Sequence, residues 1–87
     1  MEATTEQSPA TTRSVTETVD ARGRACPGPI VALATALKSA APGDLLELLA
    51  TDRGSISDVP AWAKISGNQL VDQSHDGETF RYLIRKA

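Results

Sequence analysis

The chain has 87 residues, enough for one small domain with one core, and 40% of them are hydrophobic, so it can fold. Its formal net charge of −2 argues against a general nucleic-acid binder, which is usually basic. A single cysteine excludes an internal disulfide, and one Cys with one His cannot complete a closed zinc site, so neither metal nor cofactor is expected. Aromatic residues are few (Trp62, Phe80 and Tyr82), so the core must be built mainly from Leu, Ile, Val and Ala. The N-terminus lacks a basic segment followed by a long apolar run, which argues against a signal peptide. No apolar stretch reaches the ~18 residues that span a bilayer. The expectation is a cytoplasmic protein without membrane contact, a setting that keeps Cys26 reduced.

Residues 1–13, MEATTEQSPATTR, are polar and have no large apolar residue after Met1. They cannot bury enough surface to offset ordering entropy and read as a disordered tail before a domain at 14–87. Residues 15–20, VTETVD, are β-branched and end on a turn former, which predicts a strand. Over 27–41, Ile30, Leu33, Ala34, Leu37 and Ala41 fall at helical spacing, and Pro42-Gly43 marks a stop. The segment 44–51, DLLELLAT, is short and bounded by turn signals, so it reads as a strand. Leu46, Leu48 and Ala50 then share one face, and Leu45, Glu47 and Leu49 the other.

A second helix is expected to start at Ser57-Asp58 and end at Gly67-Asn68, with Pro60 in its first turn. Val59, Trp62, Ala63 and Ser66 form its inner side, with Trp62 filling core space. A hairpin closes the chain: a strand at 69–75, an Asp76-Gly77 turn and a strand at 79–86. The order is β-α-β-α-β-β. Strand–helix–strand crossovers are right-handed. The expected fold is therefore a two-layer α/β (α+β) sandwich, with both helices on one face of a four-stranded mixed sheet. Leu45, Leu49 and Leu83 belong on the bare face, with Arg81 and Arg85 flanking Leu83.

The lone cysteine sits in RGRACPGP, residues 22–29. Two prolines so close fit a helix only in its first turn, where their missing N–H groups have no helical partner anyway. This spacing predicts Cys26 at the N-cap, Pro27 at N1, Gly28 at N2 and Pro29 at N3. The Gly28 N–H is then the donor left for the sulfur. A helix N-terminus carries roughly half a positive charge and favours the thiolate, the nucleophilic form. Arg22 and Arg24 could add positive field by curling toward it. The alternative is a buried, inert cysteine. His75, beside a hairpin turn, reads as solvated.

At VDARGRACPGP the sequence resembles the TusA/SirA family of small sulfur carriers (sulfurtransferases). The likeness runs over about 15–87. It rests on Cys26-Pro27-Gly28-Pro29 after Asp20-Ala21-Arg22-Gly23, and on APGD, ATD, SDVPAW and FRYLIRK in the expected order. The resemblance implies the same sandwich and a Cys26 that accepts sulfane sulfur as a persulfide, with Pro27 and Pro29 as scaffold. It also implies a sulfur-donor protein (a cysteine desulfurase or a rhodanese-like protein) and a sulfur-acceptor protein. That describes a relay with a protein partner rather than a stand-alone enzyme. Acceptor pathways in the family include tRNA thiolation, molybdenum-cofactor supply and sulfur oxidation. Two positions depart from well-studied relatives: Gly28 replaces an acidic residue, and the outer face of the first helix carries only Lys38. Two other functions remain open. The fold is similar to the C-terminal domain of translation initiation factor 3, which implies a regulatory or RNA-contacting module. A thiol-redox regulator acting through Cys26 is the third reading.

Overall fold

The computed structural model describes residues 15–25 and 27–87. The tail expected at 1–13, Ser14 and Cys26 lie outside the described residues. Six elements follow in the order β1 (Glu17–Ala21), α1 (Gly28–Lys38), β2 (Leu45–Ala50), α2 (Ser55–Ser66), β3 (Gln69–Asp76) and β4 (Thr79–Arg85). They form one four-stranded sheet in the order β1-β2-β4-β3. β1 and β2 are parallel, and the other two pairings are antiparallel. α1 packs on β1 and β2, α2 on β3 and β4, and the helices touch each other. This is the expected α+β sandwich with both helices on one face of a mixed sheet.

The core lies between the layers. Leu46, Leu48 and Ala50 of β2 meet Tyr82 and Ile84 of β4, Val19 and Ala21 of β1, Leu33 and Leu37 of α1, and Val59 and Ala63 of α2. On the opposite face Leu49 and Leu83 are half-buried. Leu45, also on that face by alternation, is buried outside the core cluster, so it contributes nothing to an open apolar patch. Arg81 is not a free rim charge: its Nε lies 2.8 Å from Glu47 Oε2, and Thr18 donates to Glu47 Oε1 at 3.0 Å.

Several element ends differ from the sequence expectation. β1 is displaced to 17–21. α1 stops at Lys38 rather than 41, because 41–44 forms a turn of its own. There the Ala41 N–H donates to Asp44 Oδ2 at 2.9 Å, and the Asp44 N–H donates to the Ala41 carbonyl at 2.9 Å. Lys86 Nζ also donates to the Leu37 carbonyl at 2.9 Å, which accepts the Ala40 N–H at 3.2 Å as well.

α2 begins at Ser55, two residues early, which leaves Pro60 inside the helix at the loss of one backbone bond. The anchor is Ser55 itself, which is 2% exposed. Its Oγ donates to the Asp52 carbonyl at 2.7 Å and lies 2.7 Å from the Tyr82 hydroxyl. A serine hydroxyl has one proton, so Tyr82 is the donor in the second bond. Trp62 is half-buried against the core rather than enclosed, and Ser66 is exposed. The largest fully buried side chain among the described residues is Tyr82. The hairpin turn is Gly77-Glu78, one residue later than expected, with Gly77 at φ +62° as the first residue of a II′ turn requires.

Candidate functional site

The site region is the connection from β1 to α1. At Ala21 the chain leaves the sheet through a turn closed by the Arg24 N–H on the Ala21 carbonyl at 3.2 Å. Gly23 is its third residue, at φ +83°, the left-handed conformation a type II turn demands there. The Gly23 N–H donates to Thr51 Oγ1 at 2.9 Å, tying this loop to the end of β2.

The helix frame is one residue later than the proline spacing predicts. Pro27 is the N-cap, Gly28 is N1 and Pro29 is N2. Both prolines still occupy positions whose N–H would go unused. The Gly28 N–H, expected for the sulfur, donates instead to the Ala25 carbonyl at 2.8 Å, and the Val31 N–H takes the Pro27 carbonyl at 2.9 Å. Among the described residues no side chain caps α1, and its first turn holds no acidic residue.

Gly28 has a packing reason. A Cβ built on it would lie 2.9 Å from Arg24 Cβ, closer than real Cβ atoms approach. The stem of Arg24 occupies the space that a side chain at position 28 would need.

The two arginines have different situations. Arg22 grips Asp20: Nε to Oδ1 at 2.9 Å, Nη2 to Oδ2 at 2.8 Å, and its backbone N–H to Oδ1 at 3.1 Å. The side-chain hydrogen bond from Arg22, then its backbone N–H, draw the Asp20 carboxyl down from 3.8 to about 2. The same bond raises Arg22. The charge of Arg22 is thus committed to Asp20. Arg24 is exposed and has no ion-pair partner among the described residues.

The structure therefore brings Arg22, Gly23, Arg24, Pro27, Gly28 and Pro29 into one loop-to-helix unit. Thr51 and Asp20 are the members that sequence reasoning missed. Asp20-Ala21-Arg22 could have signalled a local ion pair. Thr51, 28 residues from Gly23, leaves no local signal. Among the described residues no group of three or more His, Cys, Asp or Glu could hold a metal ion, and no helix is long and apolar enough to cross a membrane.

A two-layer sandwich with a proline-flanked helix start beyond β1 defines a recognisable class. Residues 17–86 match the family of sulfurtransferase TusA, and the chain belongs to that family. It is 39% identical over 75 residues to sulfur carrier protein TusA of Pseudomonas aeruginosa, covering 86% of this chain and 95% of the relative. It is 39% identical over 69 residues to sulfur carrier protein TusA of Allochromatium vinosum, covering 79% and 91%. These relatives support a sulfur carrier role. The crystal structure of a SirA-like protein from Desulfitobacterium hafniense superposes with a TM-score of 0.70 at 24% identity, covering 79% of this chain and 95% of that one, and shows the shared fold.

Proposed function

We propose that this chain is a sulfur carrier that takes up sulfane sulfur on Cys26 and relays it to a partner protein. In the loading step the Cys26 thiolate attacks the outer sulfur of a donor cysteine persulfide. A new S–S bond forms at Cys26 as the donor's S–S bond breaks, and the donor sulfur leaves with the electron pair as a thiolate. One persulfide and one thiol become one thiol and one persulfide, so no outside oxidant or reductant is needed. Unloading to the acceptor repeats the exchange.

The observation that carries this reading is the capless start of α1 beside Cys26. With no capping side chain among the described residues and no acidic residue in the first turn, the positive helix end is left for an anion, and a thiolate or persulfide anion suits it. Pro27 and Pro29 stiffen that turn, and the Gly23–Thr51 bond anchors the loop before it. Arg24, rather than Arg22, is the cation available nearby. A cytoplasmic location and a donor of the cysteine desulfurase or rhodanese type belong to the same proposal.

The test is mass spectrometry after incubation with a cysteine desulfurase and cysteine. The expected product carries one added sulfur atom on Cys26. Cys26→Ser should keep the fold, because serine is close to cysteine in size and position 26 lies before the helix, and should carry no sulfur. A native Cys26 that resists alkylation and acquires no sulfur would restore the inert-cysteine reading.

A further inference from the structure

The loop end of the sheet also holds a concave surface that the relay chemistry does not use. Gly23, Thr51 and Phe80 lie on three neighbouring strands or their extensions. Gly23 bonds Thr51, and Phe80 pairs with Ala50, the residue before Thr51. Beside the Phe80 ring is a hollow of about 310 Å³ lined by Thr51, Arg53, Gly77, Glu78 and Phe80. A second hollow of about 310 Å³ lies against the same ring, bordered by Ile56 and His75. Phe80 is half-buried, and Ile56 is 41% exposed although it is a large apolar residue. The Phe80 ring is therefore an apolar surface open to solvent, set among polar neighbours in the first hollow and beside Ile56 in the second.

Its rims are charged with opposite sign. Arg53 stands on the β2–α2 side and Glu78 on the hairpin side, with Phe80 of β4 between them. Both are exposed, and neither has an ion-pair partner among the described residues. An exposed aromatic ring between a cation and an anion, neither ion-paired among the described residues, complements a peptide segment whose apolar side chain is flanked by an acidic and a basic residue. Apolar anchors in a concavity with a polar rim are the usual energetic centre of a protein contact.

We propose that the Phe80 hollow is a docking site for such an acidic–apolar–basic segment of the partner protein, seated next to the sulfur-carrying loop. For why a partner comes to this end, the inference rests on the relay reading above.

The experiment titrates the ¹⁵N-labelled full chain with the peptide acetyl-Asp-Leu-Lys-amide and follows the amides of Thr51, Gly77, Glu78 and Phe80. Saturable shifts at these positions are expected. The neutral analogue acetyl-Asn-Leu-Gln-amide should bind about two- to fivefold more weakly, the scale of screened ion pairs. Arg53→Gln and Glu78→Gln, both surface changes that leave the core intact, should each weaken the charged peptide by a similar factor. No saturable shift, or equal binding of the charged and neutral peptides, would overturn the proposal. The readout needs no sulfur on Cys26. Persulfide formation without peptide binding would remove the docking site alone, and peptide binding by a chain that never forms a persulfide would remove the relay alone.

Discussion

The contact between Ser55 and Tyr82 lets two substitutions of one hydrogen bond be ranked in advance. Tyr82 is completely buried at the centre of the core and donates to Ser55 Oγ at 2.7 Å, while Ser55 donates onward to the Asp52 carbonyl. Tyr82→Phe removes one bond, keeps the ring and leaves the Ser55 proton satisfied by Asp52. Its expected cost is about 1 kcal/mol. Ser55→Ala instead strands the buried Tyr82 hydroxyl without an acceptor, and the desolvation of an orphaned donor costs about 1–3 kcal/mol. The serine change should therefore be the worse, although each substitution removes a single oxygen. In the double variant no hydroxyl is stranded, so its cost should fall below the sum of the two single changes. Urea and thermal denaturation followed by circular dichroism would measure this, with roughly 4–8 °C of melting temperature per kcal/mol in a domain of this size. Burial first of all, and then the nearby Asp52 charge, push Tyr82 above its ordinary 10, although the Ser55 bond pulls the other way. Its folded value is raised, so its contribution to stability is complete below pH 10 and lost as the pH climbs past that. A Ser55→Ala variant no less stable than Tyr82→Phe, or a strictly additive pair, would refute the donor assignment.

Three further outcomes are expected. Gly28→Ala should destabilise by about 1–3 kcal/mol through its overlap with the Arg24 stem, and adding Arg24→Gly should restore most of the loss in the same denaturation assay. The Asp20 carboxyl should titrate near 2 by NMR and move back toward 3.8 in Arg22→Ala. Because that carboxyl is depressed, whatever it adds to stability is present above the ordinary carboxylate range and is lost as the pH falls from about 4 toward 2. Lys86→Met, which removes the cation bonded to the Leu37 carbonyl, should cost about 1 kcal/mol, measured as a lower urea midpoint.

What the sequence revealed and what it hid follow from the range of the interactions involved. The element order was legible because each segment advertises its own period. Leu46, Leu48 and Ala50 alternate in β2, and Leu33 and Leu37 repeat at helical spacing in α1. The sheet face was legible for the same reason, since Tyr82 and Ile84 share parity in β4. Element ends were less legible because distant groups set them. Ser55 is drawn into α2 by Tyr82, 27 residues away, and α1 ends where Lys86, 49 residues beyond Leu37, reaches its carbonyl. At the site, the two prolines marked the first turn of α1, but the one-residue frame depended on the Gly28 N–H choosing the Ala25 carbonyl. Where the Arg22 charge goes was left open by the sequence; in the structure it is bonded to Asp20, two residues away.

The position of β4 bears on how this chain comes into being. β4, the latest of the four strands in chain order, is an inner one, hydrogen-bonded to β2 on one side and β3 on the other. A growing chain that has not yet produced residues 79–85 can pair β1 with β2, but β2 then offers its free edge to solvent, and β3 has no neighbour at all. That unfinished edge, with Leu45, Leu46, Leu48 and Leu49 along it, is a template for pairing with another chain. The sheet cannot close until β4 is present, and its contacts reach far back along the sequence, a topology that slows folding. Loss of even the last strand should yield an aggregating product rather than a smaller working domain. During synthesis the cysteine emerges long before the sheet that will hold its loop in place.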